Sequence, residues 1–233
     1  MVEPQREFAF VSDVHSNFEA LRAVLDDMGR RPLYCLGDSV GYGASPNEVV
    51  DLLKEKGATC VLGNHDFAAL NADPSGFNSR AAVAVIWTSR HLSDENKGYL
   101  AEFPLNRTVE LAGERVYMTH GSPDDNLGEY VYPTTHSDMF DFYLRKLSVK
   151  AIALGHTHIP FAWSERQGVV FNPGSVGQPR DGDRRASYAI LSVNGGKVEV
   201  EHRRVEYDVE TSAKKIIEAG LPPSLANRLL TGE

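Results

Sequence analysis

Five short apolar runs, residues 8–12, 33–36, 59–62, 116–119 and 151–154, stand out along the chain, each bounded by glycine, proline or polar residues. Runs of this length and character predict buried strands. Between the first three, hydrophobic positions recur at helical spacing. Residues 17–28 place Leu21, Val24, Leu25 and Met28 on one face behind a cap at Ser16 or Asn17, and Arg31-Pro32 stops the pattern. Residues 45–56 open with Ser45 as cap, Pro46 in the first helical position and Glu48 completing a capping box, and Gly57 closes them. Strand and helix thus alternate as βαβαβ, the pattern of a parallel sheet with helices packed on it.

The third strand runs into residues 63–66 and then a helical insert at about 78–103, divided into 78–92 and 93–103 by a fresh cap at Ser93. From residue 108 the strands crowd together at 108–111, 116–119, 151–154, 161–164, 169–171, 187–193 and 197–204, with a helix at 135–147 among them. Asn194-Gly195-Gly196 and Arg166-Gln167-Gly168 read as hairpin turns, so these strands are expected to form hairpins of a second sheet. A C-terminal tail at about 209–230 is helical with a break at Pro222-Pro223, and its pattern indicates packing alone. Two mixed sheets facing each other, with helices outside both, would bury all these strands and bring five strand ends to one edge.

Composition narrows the class of molecule. The 233 residues are 42% hydrophobic and 24% charged, with no shift that marks a boundary, so residues 1–233 are expected to form one α/β domain with a sizeable core. A formal net charge of -8 weighs against duplex nucleic acid as a partner. It leaves a small anion open, because bound divalent ions dominate the field of a pocket. No apolar segment is long enough to span a membrane, and the first seven residues lack the secretory pattern. Cys35 and Cys60 fall inside apolar runs and read as buried thiols, which fits a cytoplasmic location.

The chemistry follows the five runs: Asp13-Val14-His15, Gly37-Asp38, Gly63-Asn64-His65, His120-Gly121 and Gly155-His156-Thr157-His158. Open α/β sheets place their ligand crevices at the carboxyl ends of strands. On extended backbone, residues two apart point the same way, so Asp13 with His15, and His156 with His158, are each expected to grip one pocket as a pair. Asp38 is placed to bridge two cations, Asn64 offers a carbonyl oxygen, and His120 completes the set. Imidazole, carboxylate and amide oxygen without thiolate suit two first-row divalent ions, Mn²⁺ foremost, with Fe, Zn²⁺ or Ni²⁺ as alternatives. Such ions outweigh the charges of Asp13 and Asp38, and the surplus selects an anion; paired metals clamp in-line phosphoryl displacement. One Asp-x-His is common by chance, but these clusters hold five of the eight histidines, leaving His91, His136 and His202 as surface residues. The loop at 121–134, with Asp124, Asp125, Tyr130 and Tyr132, is placed to rim the pocket, and its rings could stack on a nucleobase.

In this order, Asp-x-His, Gly-Asp, Gly-Asn-His-Asp, His-Gly and Gly-His-x-His resembles the calcineurin-like metallophosphoesterase superfamily, from residue 8 to about 180. Asn172-Pro173-Gly174-Ser175-Val176 followed by Arg180 resembles its small bacterial and archaeal phosphodiesterase branch. The resemblance implies a four-layer αββα sandwich. It also implies one metal held by Asp13, His15, Asp38 and His158, a second by Asp38, Asn64, His120 and His156, and hydroxide delivered by the metals to phosphorus. His65 would face the substrate, stabilising the phosphate or protonating the leaving oxygen. One departure matters. Phosphoprotein phosphatases and symmetrical diadenosine tetraphosphatases carry an Asp or Ala and then an Arg soon after the bridging Asp, whereas this chain has Ser39-Val40-Gly41-Tyr42-Gly43. The clamping Arg is missing, and Gly41 removes the carboxylate that would orient His65, leaving the adjacent Asp66 as the only neighbour in sequence. A phosphodiesterase or phosphatase for small esters is therefore favoured, with Tyr42 and Arg180 as substrate contacts. Phosphoprotein phosphatase, dinucleoside polyphosphate hydrolase and nuclease are its rivals in chemistry. The rival from another class is a silent protein-binding scaffold, which should have lost a ligand or His65; this chain keeps them all. A small phosphate ester is the expected partner, and a homo-oligomer is compatible with all of this.

Overall fold

Alternation inside the strands sets the architecture. In β1 (Glu7–Val11), Ala9 and Val11 face one way and Phe8 and Phe10 the other, and all four are buried, so the strand needs cover on both faces. The computed structural model, which describes residues 6–165 and 167–233, supplies it. β1 pairs in parallel with β2 (Leu33–Cys35), and β2 with β3 (Thr59–Cys60). The intervening helices α1 (Phe18–Met28) and α2 (Pro46–Glu55) pack on the face that carries Ala9 and Val11. The second sheet consists of β4 (Asn106–Leu111), β5 (Glu114–Thr119), β6 (Ala151–Ala153), β7 (Phe161–Glu165) and β8 (Gly168–Asn172), in the order β4-β5-β6-β8-β7. Its outer face is covered by Phe140, Tyr143 and Leu144 of α6 (Ser137–Leu147). Between the sheets, Phe8, Phe10, Leu36 and Val61 meet Val116, Met118, Ala153 and Phe171, with Phe10 edge-on to Phe171 at 5.2 Å. Helix, sheet, sheet and helix form the expected αββα sandwich, and both sheets are mixed.

Two strands lie elsewhere than expected. β9 (Ala186–Asn194) and β10 (Lys197–Val205) do not extend the second sheet but complete the first, in the order β10-β9-β1-β2-β3. The reason lies in β9, which is buried along almost its whole length and needs neighbours on both sides; β1 offers one open edge and β10 the other. The loop Gly195-Gly196 between them has positive φ at both residues, as a two-residue hairpin requires. Pairing of Glu165 with Gly168 closes the other expected hairpin, whose Arg166 lies outside the described residues.

The helices follow their caps with two exceptions. Asn17, Asn78 and Ser93 accept main-chain hydrogen bonds at the starts of α1, α4 (Ser79–His91) and α5 (Asp94–Ala101). Ser45 makes no side-chain cap on α2, where Pro46 alone marks the start. A helix that the sequence pattern does not predict, α3 (Asn64–Asn71), begins immediately at the Asn64-His65 motif, its Asp66 accepting from the amide of Gly63 at 3.1 Å. The tail folds as α7 (Val209–Glu218) and α8 (Pro223–Thr231), and its Leu221, Leu225 and Leu229 join Ala81, Ala84 and Tyr42 in one cluster. It therefore walls the loop that carries Tyr42, beyond the packing expected of it. Among the described residues no helix is long and apolar enough to cross a membrane. Cys35 and Cys60 are buried and free. His91 and His136 are exposed as expected, but His202 is half-buried and donates to the carbonyl of Asn172 at 2.8 Å.

Candidate metal centre

Past Val11 the chain leaves the extended conformation, and the side chains of interest sit on the turns beyond the strand ends. Asp13, His15 and Ser16 have φ of 52°, 48° and 54°, Asp38 has 52°, and His156 and His158 have 70° and 61°. The amides of Asp13, His15 and Ser16 donate to the carbonyls of Gly37, Asp38 and Ser39 at 3.1, 2.9 and 3.0 Å, zipping two strand-end loops together. Left-handed backbone at a non-glycine residue costs about 1–2 kcal/mol, and this hydrogen bonding holds it in place. The pairing expected from strand alternation is corrected accordingly. Asp13 and His15 do converge, but through left-handed turns; His156 and His158 separate, one to each end of the centre. Gly63 must be bare, because a Cβ there would lie 2.1 Å from the amide nitrogen and Oδ1 of Asp38.

Seven donors gather in two groups. His15 Nε2 and His158 Nε2 are 3.1 Å apart, and Asp13 Oδ1 lies 3.7 and 3.3 Å from them. In the second group His120 Nε2 lies 3.1 Å from His156 Nδ1, 3.0 Å from Asn64 Oδ1 and 3.3 Å from Asp38 Oδ2. Asp38 Oδ2 also lies 3.7 Å from His15 Nε2 and so belongs to both. Five of these side chains, Asp13, His15, Asp38, His120 and His158, are at most 2% exposed.

The donor chemistry fits divalent ions. Nδ1 of His15, His158 and His120 faces the carbonyls of Val40, Gln178 and Leu36 at 3.1, 2.5 and 2.8 Å. A carbonyl only accepts, so Nδ1 carries a proton on each ring, and in His15 and His158, which burial keeps neutral, an Nε2 lone pair turns inward. Lone pairs facing one another and two carboxylates repel unless a cation stands among them. Burial pushes His15 and His158 well below the ordinary histidine range and His156 down to about 3, which keeps them neutral as ligands must be. His120 goes the other way. Burial would lower it, but the carboxylates of Asp38 and Asp13 outweigh burial and raise it to about 10. Burial raises Asp13 to about 7; at Asp38 it is overcome by His120 and His65, which hold the carboxyl well below its usual range.

Above the donors opens a cleft of about 360 Å³, lined by Asp38, Asn64, His65, His156, His158 and Arg180. His65 is buried against Tyr42, Phe77 and His15, with ring centroids at 4.4, 4.7 and 4.9 Å. Burial lowers it to about 4, and its Nδ1 has no hydrogen-bond partner among the described residues. Asp66 does not orient it, because that carboxylate accepts from the amides of Val40 and Gly63 at 2.9 and 3.1 Å. Gly41, at φ 95°, leaves room for the ring: a Cβ there would lie 2.6 Å from His65 Nδ1. Tyr42 and Arg180 both line the cleft, with the guanidinium 5.7 Å over the Tyr42 ring. From the 121–134 loop, Tyr130 stacks on His156 at 3.8 Å, whereas Asp124 binds Tyr143 and Lys146, and Asp125 closes a turn on Leu127 and Gly128.

The profile of the calcineurin-like phosphoesterase superfamily domain matches residues 7–196. The chain belongs to that superfamily. It is 38% identical to an uncharacterised protein of Methanocaldococcus jannaschii, over 96% of this chain and 97% of that one. It is 26% identical to the phosphodiesterase YfcE of Escherichia coli, over 78% and 85%. Among solved structures, a metallophosphoesterase from Sphaerobacter thermophilus superposes with a TM-score of 0.83 at 34% identity, covering 98% of this chain and 99% of the other. In this superfamily member the Asn172–Val176 motif has a structural role that its sequence does not reveal. Asn172 donates to the carbonyl of Gly155 and to Thr157 Oγ1 at 2.6 and 3.0 Å, and Ser175 Oγ donates to the carbonyl of Asp13 at 2.7 Å, so the Asn-Pro-Gly-Ser segment splints both ligand loops. Gln178 and Arg228 carry no signal of their own type. Asp66 did, as an acid three residues after Gly63 at a helix start.

Proposed function

We propose that the protein is a hydrolase of small phosphate esters, phosphodiesters or nucleotides, dependent on two divalent ions with manganese foremost and iron, zinc or nickel as alternatives. Asp13, His15, Asp38 and His158 hold one ion; Asp38, Asn64, His120 and His156 hold the other. The observation that carries this reading is the meeting of two donor groups at Asp38 Oδ2 beneath an open cleft. Similarity to a phosphodiesterase of Escherichia coli supports the diester. When bound, the ions supply positive charge to phosphoryl oxygens and lower the pKa of water. The chain's own residues do the rest. His65, neutral and within 4.8 Å of the donor atoms of His15 and Asp38, stabilises the phosphate by donating a ring N–H to it. Arg180 takes a phosphoryl oxygen in place of the arginine missing after Asp38, and Tyr42 holds that guanidinium over its ring. Free buried thiols suit a reducing cytoplasm as the place of action.

The test is a panel on manganese-loaded protein: bis(p-nitrophenyl) phosphate, p-nitrophenyl phosphate, cyclic nucleotides, dinucleoside polyphosphates, single-stranded DNA and a phosphopeptide. Small diesters should turn over fastest and the phosphopeptide slowest. Absence of turnover with every divalent ion would refute the reading in favour of a protein-binding scaffold.

A further inference from the structure

Gln178 is buried, and its two ends serve two sites. Its main-chain carbonyl accepts from His158 Nδ1 at 2.5 Å, while its side-chain Oε1 faces two guanidiniums, Arg180 Nη2 at 2.9 Å and Arg228 Nη1 at 3.5 Å. Arg180 lines the cleft beside Asp38 and His158. Arg228 arrives from α8, beyond the residues that the superfamily profile matches, and α8 is anchored by Leu225 and Leu229 in the cluster that contains Tyr42. Among the described residues neither arginine joins an ion pair, whereas Arg31, Arg185, Arg203 and Arg204 each face a carboxylate. Arg180 Nε is buried and has no hydrogen-bond partner there. Two like charges on one neutral oxygen repel, and burial sharpens the repulsion. Burial, then Arg180 and Arg80, push Arg228 below the usual arginine value. Arg80 stands in the first turn of α4, next but one to Asn78, which lines the same cleft.

One phosphoryl group over the metal donors meets Arg180 and leaves Arg228 unanswered. The geometry points to a second anion subsite, built from Arg180 and Arg228 across Gln178, that takes a further phosphoryl group of the substrate. This deepens the phosphoesterase reading and rests on it. The substrate class it selects is the phosphate ester that bears a second phosphoryl group, such as a nucleoside polyphosphate, in preference to a simple monophosphate. Paired guanidiniums recognise such a group through charge-assisted, forked hydrogen bonds.

Isothermal titration separates the two ideas, using manganese-loaded protein in excess Mn²⁺ with α,β-methylene adenosine diphosphate against adenosine monophosphate. The nucleoside is common to both probes, so their difference reports the second phosphoryl group. The diphosphate analogue should bind about tenfold or more tightly than the monophosphate, and Arg228→Gln should erase that preference while leaving the monophosphate unchanged. Arg228→Lys should retain part of it, and thermal unfolding of each variant reports whether α8 still docks. A wild-type protein without the preference overturns the subsite, whatever the variants do, and so does a folded Arg228→Gln protein that keeps it. An active esterase lacking the preference refutes the subsite alone. Preference without turnover of any ester refutes the hydrolase alone.

Discussion

Asp38 has one oxygen for the backbone and one for the centre: Oδ1 accepts from the amide of His65 at 2.8 Å, and Oδ2 lies 3.3 and 3.7 Å from imidazole nitrogens of the two donor groups. Asp38→Asn keeps the shape but removes the shared negative charge, so metal content by elemental analysis and turnover should fall together. A metallated, active variant would remove Asp38 from its role. His65 tests the opposite dependence. His65→Ala should retain metal and slow turnover by roughly 10²–10³-fold, as loss of one hydrogen-bond donor to the phosphoryl group would. Gly41→Ala should imitate it in part, since its Cβ would meet Nδ1 at 2.6 Å in a left-handed conformation that disfavours alanine. The expected signature is slower turnover with unchanged metal content; full activity would show that the ring's seat does not matter. At this scale the sequence is legible wherever function is the side chain's own chemistry. The seven side chains singled out in the sequence lie together, because Asp, His and Asn carry their donor atoms into any fold. Gln178 is not legible in this way, since an amide gains its meaning only from the guanidiniums and imidazole that folding brings to it.

Elements were legible up to the point where contacts become long-range. The βαβαβ alternation identifies β1, α1, β2, α2 and β3, because hydrophobic period and caps are local. The choice of sheet for β9 and β10 is not local: alternation states that two faces are buried and says nothing of which edge receives the strand. Turn conformation is likewise hidden, so the pincers inferred from strand period came out as left-handed loops. The C-terminal helices show the same limit, reading as packing alone until Leu225 is seen in one cluster with Tyr42. Leu225 is 1% exposed, so Leu225→Ala should cost about 2–5 kcal/mol in urea unfolding. Because that cluster supports Tyr42, the loss should be accompanied by a higher KM for the preferred ester with metal content intact. Destabilisation with an unchanged KM would confine α8 to packing.

At the scale of the molecule the centre is a seam between sheets. Asp13, His15, Asp38 and Asn64 follow strands of the first sheet, and His120, His156 and His158 follow strands of the second. An ion held by donors from both would tie the layers together and stabilise the sandwich by mass action, about 2.7 kcal/mol at a hundredfold excess over Kd. For a chain of this size that corresponds to a rise in Tm of roughly 5–11 °C, lost on chelation. The gain must depend on pH, with a definite sign. His120 is raised from 6.5 to about 10, so without metal its proton stabilises the fold fully below pH 6.5, and that contribution fades as pH climbs through about 10. A metal needs the same ring neutral, and below about 7 it must also displace a proton from Asp13. Metal affinity, and with it the difference in Tm between loaded and chelated protein, should therefore grow with rising pH from 6 to 9. Differential scanning calorimetry with and without chelator, at several pH values in non-coordinating buffers, measures that difference directly. A gap that is flat or shrinks over this range would show that His120 keeps its proton when metal binds, and would take it out of the ligand set.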